Sequence, residues 1–99
     1  IRERVMRARR YQEERFEGTN YQFNSQIATG DIRKYCKLKP EDETMLSGLL
    51  QKQGASARTY HRVLKVSRTI ADLRGSAQIE RQDWMEAMSM RLGEDKYWR

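Results

Sequence analysis

The stretch ARTYHRVLKVSRTIADLR, set between Ser56 and Gly75, limits the fold more than any other part of the chain. Ser56 is a good N-cap and Gly75 a natural helix stop, and the residues between them make about five turns at 3.6 residues each. Tyr60, Val63, Leu64, Ser67, Ile70 and Ala71 fall on one face of this helix. Arg58, Arg62, Lys65, Thr69 and Asp72 recur at spacings of four and three on another side. Such a two-sided pattern over so long a run makes this the central helix of whatever the chain builds.

The remaining segments also read as helices, because the chain has one Pro, few β-branched residues and no strand-length alternation of apolar and polar residues. From Ile1 to about Phe16, the residues Ile1, Val5, Ala8 and Tyr11 or Gln12 form a narrow stripe among six arginines, and a stripe this narrow needs a partner surface. The run EGTNYQFNSQIATG is a connection, longer than the usual loop of about 4 to 6 residues. It is expected to wrap another surface, pinned by Tyr21, Phe23 and Ile27. A short helical turn follows at DIRKYC, with Ile32, Tyr35 and Cys36 as its buried side.

Pro40 suits a first helical position, and Glu41, Asp42 and Glu43 lie where the helix dipole favours negative charge. That helix runs to Gly54, with Met45, Leu46, Leu49, Leu50 and Gln53 as its packed face. The last helix spans about Glu80 to Arg91, with Ile79 as an entry staple and Trp84, Ala87 and Met88 facing inward. A polar tail follows, in which Tyr97 and Trp98 can make a contact. The expected fold is an all-α small bundle of four main helices plus a short helical turn.

At 99 residues the chain allows one domain. Charged residues make up 34% of it, against a typical value of about 25%, and the net charge is +6. The surface therefore favours anionic partners without naming one. Lone Cys36 cannot form an internal disulfide, and with His61 as the single histidine no zinc spacing exists. No resident metal is expected. No apolar run approaches the roughly 20 residues that cross a bilayer, so the expectation is a soluble, cytoplasmic protein with no membrane partner. The chain opens on Ile inside a helical pattern, which reads as a piece of a longer protein.

Catalytic raw material is sparse. Cys36 is either a thiol activated by Lys34 and Lys37 or a small buried apolar residue, and His61 is a surface or half-buried histidine unless a site recruits it. No G-x-x-x-x-G-K-[ST] string is present, so a P-loop route to ATP hydrolysis is closed to this chain alone. Arg58, by contrast, sits in the first turn of a capped helix, where a permanently charged fork beside a positive helix end can reach a phosphate on a neighbouring surface. Nucleic acid is the other use of the charge: the first segment nets +3 from six Arg and three Glu, and Gly54 to Gly75 nets +4 from five basic residues and one Asp.

The segment from Gly54 to Arg91 carries a longer signature. Its run S-x-R-x-x-H-R-x-L-x-V-x-R-T-I-A-D-L-x-G-S, from Ser56 to Ser76 and followed by Ile79, Glu86 and Ala87, resembles the C-terminal lid of Mg-chelatase-like AAA+ ATPases of the ComM (YifB) type. The upstream runs RVMRARRYQEERF and DIRKYCKLKPEDETMLSGLLQKQG resemble that family's linker helix and first lid helices. Asp83 and Trp84 depart from the histidine and leucine usual there, which implies altered packing in the last helix. The resemblance implies that residues 1–30 are a linker helix and connection from an ATPase core and residues 31–99 the helical lid. It also implies that Arg58 is the sensor-two arginine on the ATP γ-phosphate, with His61 and Arg62 in the same nucleotide-facing or inter-subunit neighbourhood. ATP and magnesium would be cofactors of the full-length protein, held by the core. Partners would be that core, neighbouring subunits of a homo-oligomeric ring, and DNA. Two readings stand beside it: a free-standing basic helical module that binds nucleic acid, and an interaction adaptor that uses the first helix and the Tyr97 and Trp98 tail.

Overall fold

The computed structural model describes residues 2–97, with side chains described for 2–90. Five α-helices follow in order: α1 (Arg2–Arg15), α2 (Ile32–Tyr35), α3 (Pro40–Lys52), α4 (Ala57–Arg74) and α5 (Arg81–Tyr97). Two 3-10 turns, Asn24–Gln26 and Thr29–Asp31, interrupt the connection between α1 and α2. No strand occurs among the described residues. This is the expected all-α bundle, four main helices with α2 as the short turn.

Local chemistry sets the boundaries of α4. Ser56 is extended (φ −81°, ψ 167°) and its side chain accepts the Thr59 N–H, satisfying one of the donors that a helix start leaves open. At the other end Gly75 takes φ +81°, the left-handed cap that favours glycine, and the Ser76 N–H donates to the Ala71 carbonyl at 2.8 Å. Arg7 of α1 folds over this cap and donates to the Leu73 carbonyl at 3.4 Å.

α4 lies at the centre, packed against α1, α5 and the 3-10 turn at Asn24–Gln26. Val63, Leu64 and Ala71 join Leu46 and Leu50 of α3 and Ile79, Trp84, Ala87 and Met88 at the α5 side in one core. Phe16 and Ile27 belong to the same core. Phe16, Tyr21 and Tyr35 meet edge to face with centroids 5.2 to 6.3 Å apart, and this aromatic trio fastens the connection to the bundle. Tyr21 further donates to Asp31 at 2.6 Å and accepts the Ala28 N–H at 3.1 Å.

Several expected faces prove narrower. On α3 a single ridge, Asp42, Leu46 and Leu50, turns inward, while Met45 and Leu49 are each 40% exposed, because a helix at the edge of a bundle buries only the ridge that meets its neighbours. α1 buries Ala8 and Gln12 but not Val5. Ile27 is buried as expected, whereas Phe23 is exposed and pins nothing. α5 continues to Tyr97 rather than stopping near Arg91, since a lone Gly93 weakens a helix without ending it. The roles expected for Ile1 and for a Tyr97 and Trp98 contact lie outside the described residues.

The largest difference is Asp72. Spacing put it on the charged side of the central helix, yet it is fully buried. Arg15 reaches it with two bonds of 2.6 and 2.8 Å, Arg68 with bonds near 3.1 Å, and the Asn24 amide at 2.9 Å. Arg68 spends its remaining donors on the Ser76 and Ala77 carbonyls, at 2.7 and 3.0 Å. One carboxylate thus ties α1, the connection, α4 and the turn into α5.

A second buried carboxylate organises α5. Asp83 accepts the Glu80 N–H at 2.8 Å, the reach-back half of a capping box, and is gripped by Arg74 at 2.7 and 3.0 Å. Beside it Trp84 is fully buried, and its indole N–H has no hydrogen-bond partner among the described residues. Asp42 pairs with Arg81, and Lys39 with Glu80, so the starts of α3 and α5 are joined by two ion pairs.

Candidate functional site

The start of α4 sets the site. Arg58, Arg62 and Lys65 follow one another at steps of four and three, so their side chains share one helix face, with His61 at its margin. All four line an open groove of about 870 Å³. Ala57 and Val66 complete the α4 side, and Ser25 and Thr29 of the connection form the opposite wall. The structure therefore brings Arg58, His61 and Arg62, singled out from the sequence, into one place.

Among the described residues no acidic side chain lines this groove, while three permanent or near-permanent cations do. Low-dielectric walls of one sign focus the field and raise the local concentration of anions. The Arg58 guanidinium is exposed and makes no hydrogen bond or ion pair among the described residues. Its planar fork is thus open to two oxygens of one phosphate. His61 is half-buried and meets Tyr60 edge to face at 6.0 Å. It also lines a second cleft, of about 640 Å³, shared with Cys36, Leu38 and Leu64.

The donor set suits a phosphate-like anion and not a magnesium ion. Magnesium wants oxygen ligands, chiefly carboxylates and water, and among the described residues the groove offers two hydroxyls and no carboxylate. Among the described residues no group of three His, Cys, Asp or Glu could hold a metal.

Cys36 is resolved in favour of packing. It is 1% exposed, and burial pushes its thiol up to about 11, so at neutral pH it is protonated despite the Arg68 and Arg15 charges nearby. Arg68 is displaced the opposite way: burial lowers its guanidinium below the ordinary value, and the Asp72 charge partly restores it.

Lys65, Ser25 and Thr29 escaped sequence reasoning as site residues. Lys65 carried a signal in its spacing of seven from Arg58, two turns along the same face. Ser25 and Thr29 carried none, since a connection without periodicity does not reveal which helix it will lie against. Lys65 itself reaches across and donates to the Ser25 carbonyl at 3.4 Å.

No helix among the described residues is long and apolar enough to cross a membrane. Comparison with known proteins agrees with the arrangement of helices and motif. The family model described as magnesium chelatase, subunit ChlI C-terminal, matches residues 1–91. The chain is 44% identical over 91 residues to the competence protein ComM of Haemophilus influenzae and 43% identical over 91 residues to the protein YifB of Escherichia coli. Each alignment covers 92% of this chain and 17% of the relative. The chain spans about a sixth of the length of these relatives, and it belongs to the family of magnesium-chelatase ChlI C-terminal domains, in the form similar to ComM-type proteins.

Proposed function

We propose that this domain is the lid of a ComM-type, Mg-chelatase-like AAA+ ATPase and that its groove reads the phosphates of ATP. The observation that supports this reading is the cationic groove at the head of α4, with Arg58 exposed in the first turn beside His61 and Arg62 and no acidic lining among the described residues. Arg58 holds the γ-phosphate as sensor two, and its fork matches the charge that develops as phosphoryl transfer proceeds. Arg62 and His61 face the same nucleotide or the adjoining subunit. ATP supplies the transferable phosphoryl group, and magnesium is held by the core rather than by this domain. The full protein works as a homo-oligomeric ring in the cytoplasm and moves on DNA.

The test is Arg58→Ala in the full-length protein. ATP turnover should fall by about 10²-fold or more, the usual loss when a transition-state charge loses its donor. Unchanged turnover overturns the assignment.

A second reading, direct nucleic-acid binding by the domain, draws on Arg2, Arg4, Arg9 and Arg10, all exposed on α1. It requires that the 99 residues alone bind DNA or RNA and lose affinity steeply with salt. A gel-shift titration with no binding at low salt removes it.

A further inference from the structure

One wall of the groove is irregular chain, and what holds it in place lies outside the groove. Ser25 lies in the first and Thr29 opens the second of the two 3-10 turns of the α1–α2 connection. Ser25 is preceded by Asn24, which is 1% exposed and fully engaged. The Asn24 side-chain amide donates to Asp72 at 2.9 Å and to Thr69 at 3.0 Å, and its side-chain oxygen accepts from Arg15 at 2.9 Å. Its backbone N–H donates to Gln12 at 3.0 Å. The Gln26 side-chain oxygen closes the turn locally by accepting the Gln22 and Phe23 N–H groups, at 2.6 and 3.0 Å. That closure shapes the turn but does not attach it to anything. Ile27 anchors the same stretch in the apolar core and Tyr21 holds the Ala28 N–H, while the polar attachment to α1 and α4 comes from Asn24, with the weaker Lys65 bond to the Ser25 carbonyl.

The partners of Asn24 belong to two helices. Gln12 and Arg15 come from the end of α1, and Thr69 and Asp72 from α4, one to two turns beyond the groove cations. The distance of the wall from Arg58, Arg62 and Lys65 thus depends on the mutual docking of α1 and α4, and the bidentate Arg15–Asp72 pair is the strongest polar link between those helices. We propose that Asn24 and Arg15 are positioning residues for the nucleotide groove: through Asp72 they fix the Ser25–Thr29 wall and couple the docking of α1 to occupancy of the groove. This rests on the nucleotide reading of the groove. By linkage the coupling runs both ways, so a phosphate held between the walls also tightens α1 against α4.

The experiment uses the full-length protein and compares Asn24→Ala and Arg15→Met with Arg74→Met. The last variant breaks the Arg74–Asp83 pair at the far end of α4, a matched ion pair that touches no groove residue. Hydrogen exchange over residues 22–31 and the steady-state KM and kcat for ATP are measured for each, with thermal unfolding as a common scale of damage. Asn24→Ala and Arg15→Met should speed exchange over 22–31 and raise KM by about fivefold with a smaller change in kcat, the pattern of lost ground-state positioning. Arg74→Met should lower the unfolding temperature without either effect. Exchange that stays unchanged in Asn24→Ala and Arg15→Met overturns the proposal, as does a KM shift no larger than that of Arg74→Met at equal loss of stability. If Arg58→Ala leaves ATP turnover intact, the nucleotide reading fails by itself, and the exchange comparison alone then decides whether Asn24 and Arg15 hold the wall.

Discussion

The guanidinium of Arg7 lies against Gly75, its atoms 3.3 to 3.5 Å from the point where a side chain on that glycine would begin. The same residue carries φ +81°, so the cap of α4 is restricted both by its backbone and by its cover. Gly75→Ala should therefore destabilise the domain by about 1–2 kcal/mol, mostly from the left-handed backbone, since the end of the Arg7 side chain can give way. Urea denaturation of the domain measures it, and an Arg7→Ala background should recover only a minor part of the loss.

Asp72 neutralises two guanidiniums, the buried one of Arg68 and the partly buried one of Arg15, and removing it leaves both without that counter-charge. Asp72→Ala should cost about 3–5 kcal/mol, a large share of the roughly 5–15 kcal/mol that holds a domain together. Asp72→Asn keeps the shape and part of the hydrogen bonding, so it should lie between Asp72→Ala and the parent. Equal stability of the parent and Asp72→Ala would show that the pair has no structural weight.

α3 offers a contrast between adjacent residues. Leu46 is fully buried and Met45 is 40% exposed. Leu46→Ala should destabilise by about 2–5 kcal/mol and Met45→Ala by less than about 1 kcal/mol. Similar losses at the two positions in chemical unfolding would contradict the observed orientation of the helix.

The Cys36 thiol gives a pH signature. Its ordinary value of 9.0 rises to about 11 on folding because burial disfavours the thiolate. Below pH 9 both states carry the proton and stability is unaffected by it. From pH 9 to about 11 the unfolded chain releases a proton that the folded one keeps, so stability falls as pH rises. The loss is about 2–3 kcal/mol over that window, on the scale of 1.36 kcal/mol per unit. Cys36→Ala should remove this part of the alkaline slope in unfolding curves. The native thiol should also react slowly with iodoacetamide at neutral pH.

At the groove, Arg58→Lys separates charge from shape. A lysine keeps the positive charge but loses the fork, so ATP turnover of the full protein should drop to about a tenth or less of the parent. Full activity with lysine would mean that only the charge matters there.

Much of this was legible in the sequence, and the gaps have physical causes. The caps of α4 are local chemistry, readable from Ser56 and Gly75, and the Arg68–Asp72 pair follows from an i,i+4 spacing. The burial of Asp72 is not local: it depends on Arg15, and no periodicity within α4 reports a partner on another helix. The same holds for the groove. Arg58, His61 and Arg62 stand together in a motif, whereas Ser25 and Thr29 join them only through the path of an aperiodic connection. The packed face of α3 is narrower than its apolar pattern because hydrophobicity marks which residues can be buried, not how much neighbouring surface exists to bury them.

The order of synthesis gives the narrow face of α1 a further meaning. Arg15 leaves the ribosome 57 positions ahead of Asp72, and at about 5–20 residues per second it waits about 3 to 11 seconds for its partner to be made. A helix with a broad greasy face would spend that interval as a target for aggregation. α1 buries only Ala8 and Gln12 in the finished domain and is otherwise rich in arginine, so the segment that must wait longest is one that water and its own charge can keep apart from other nascent chains.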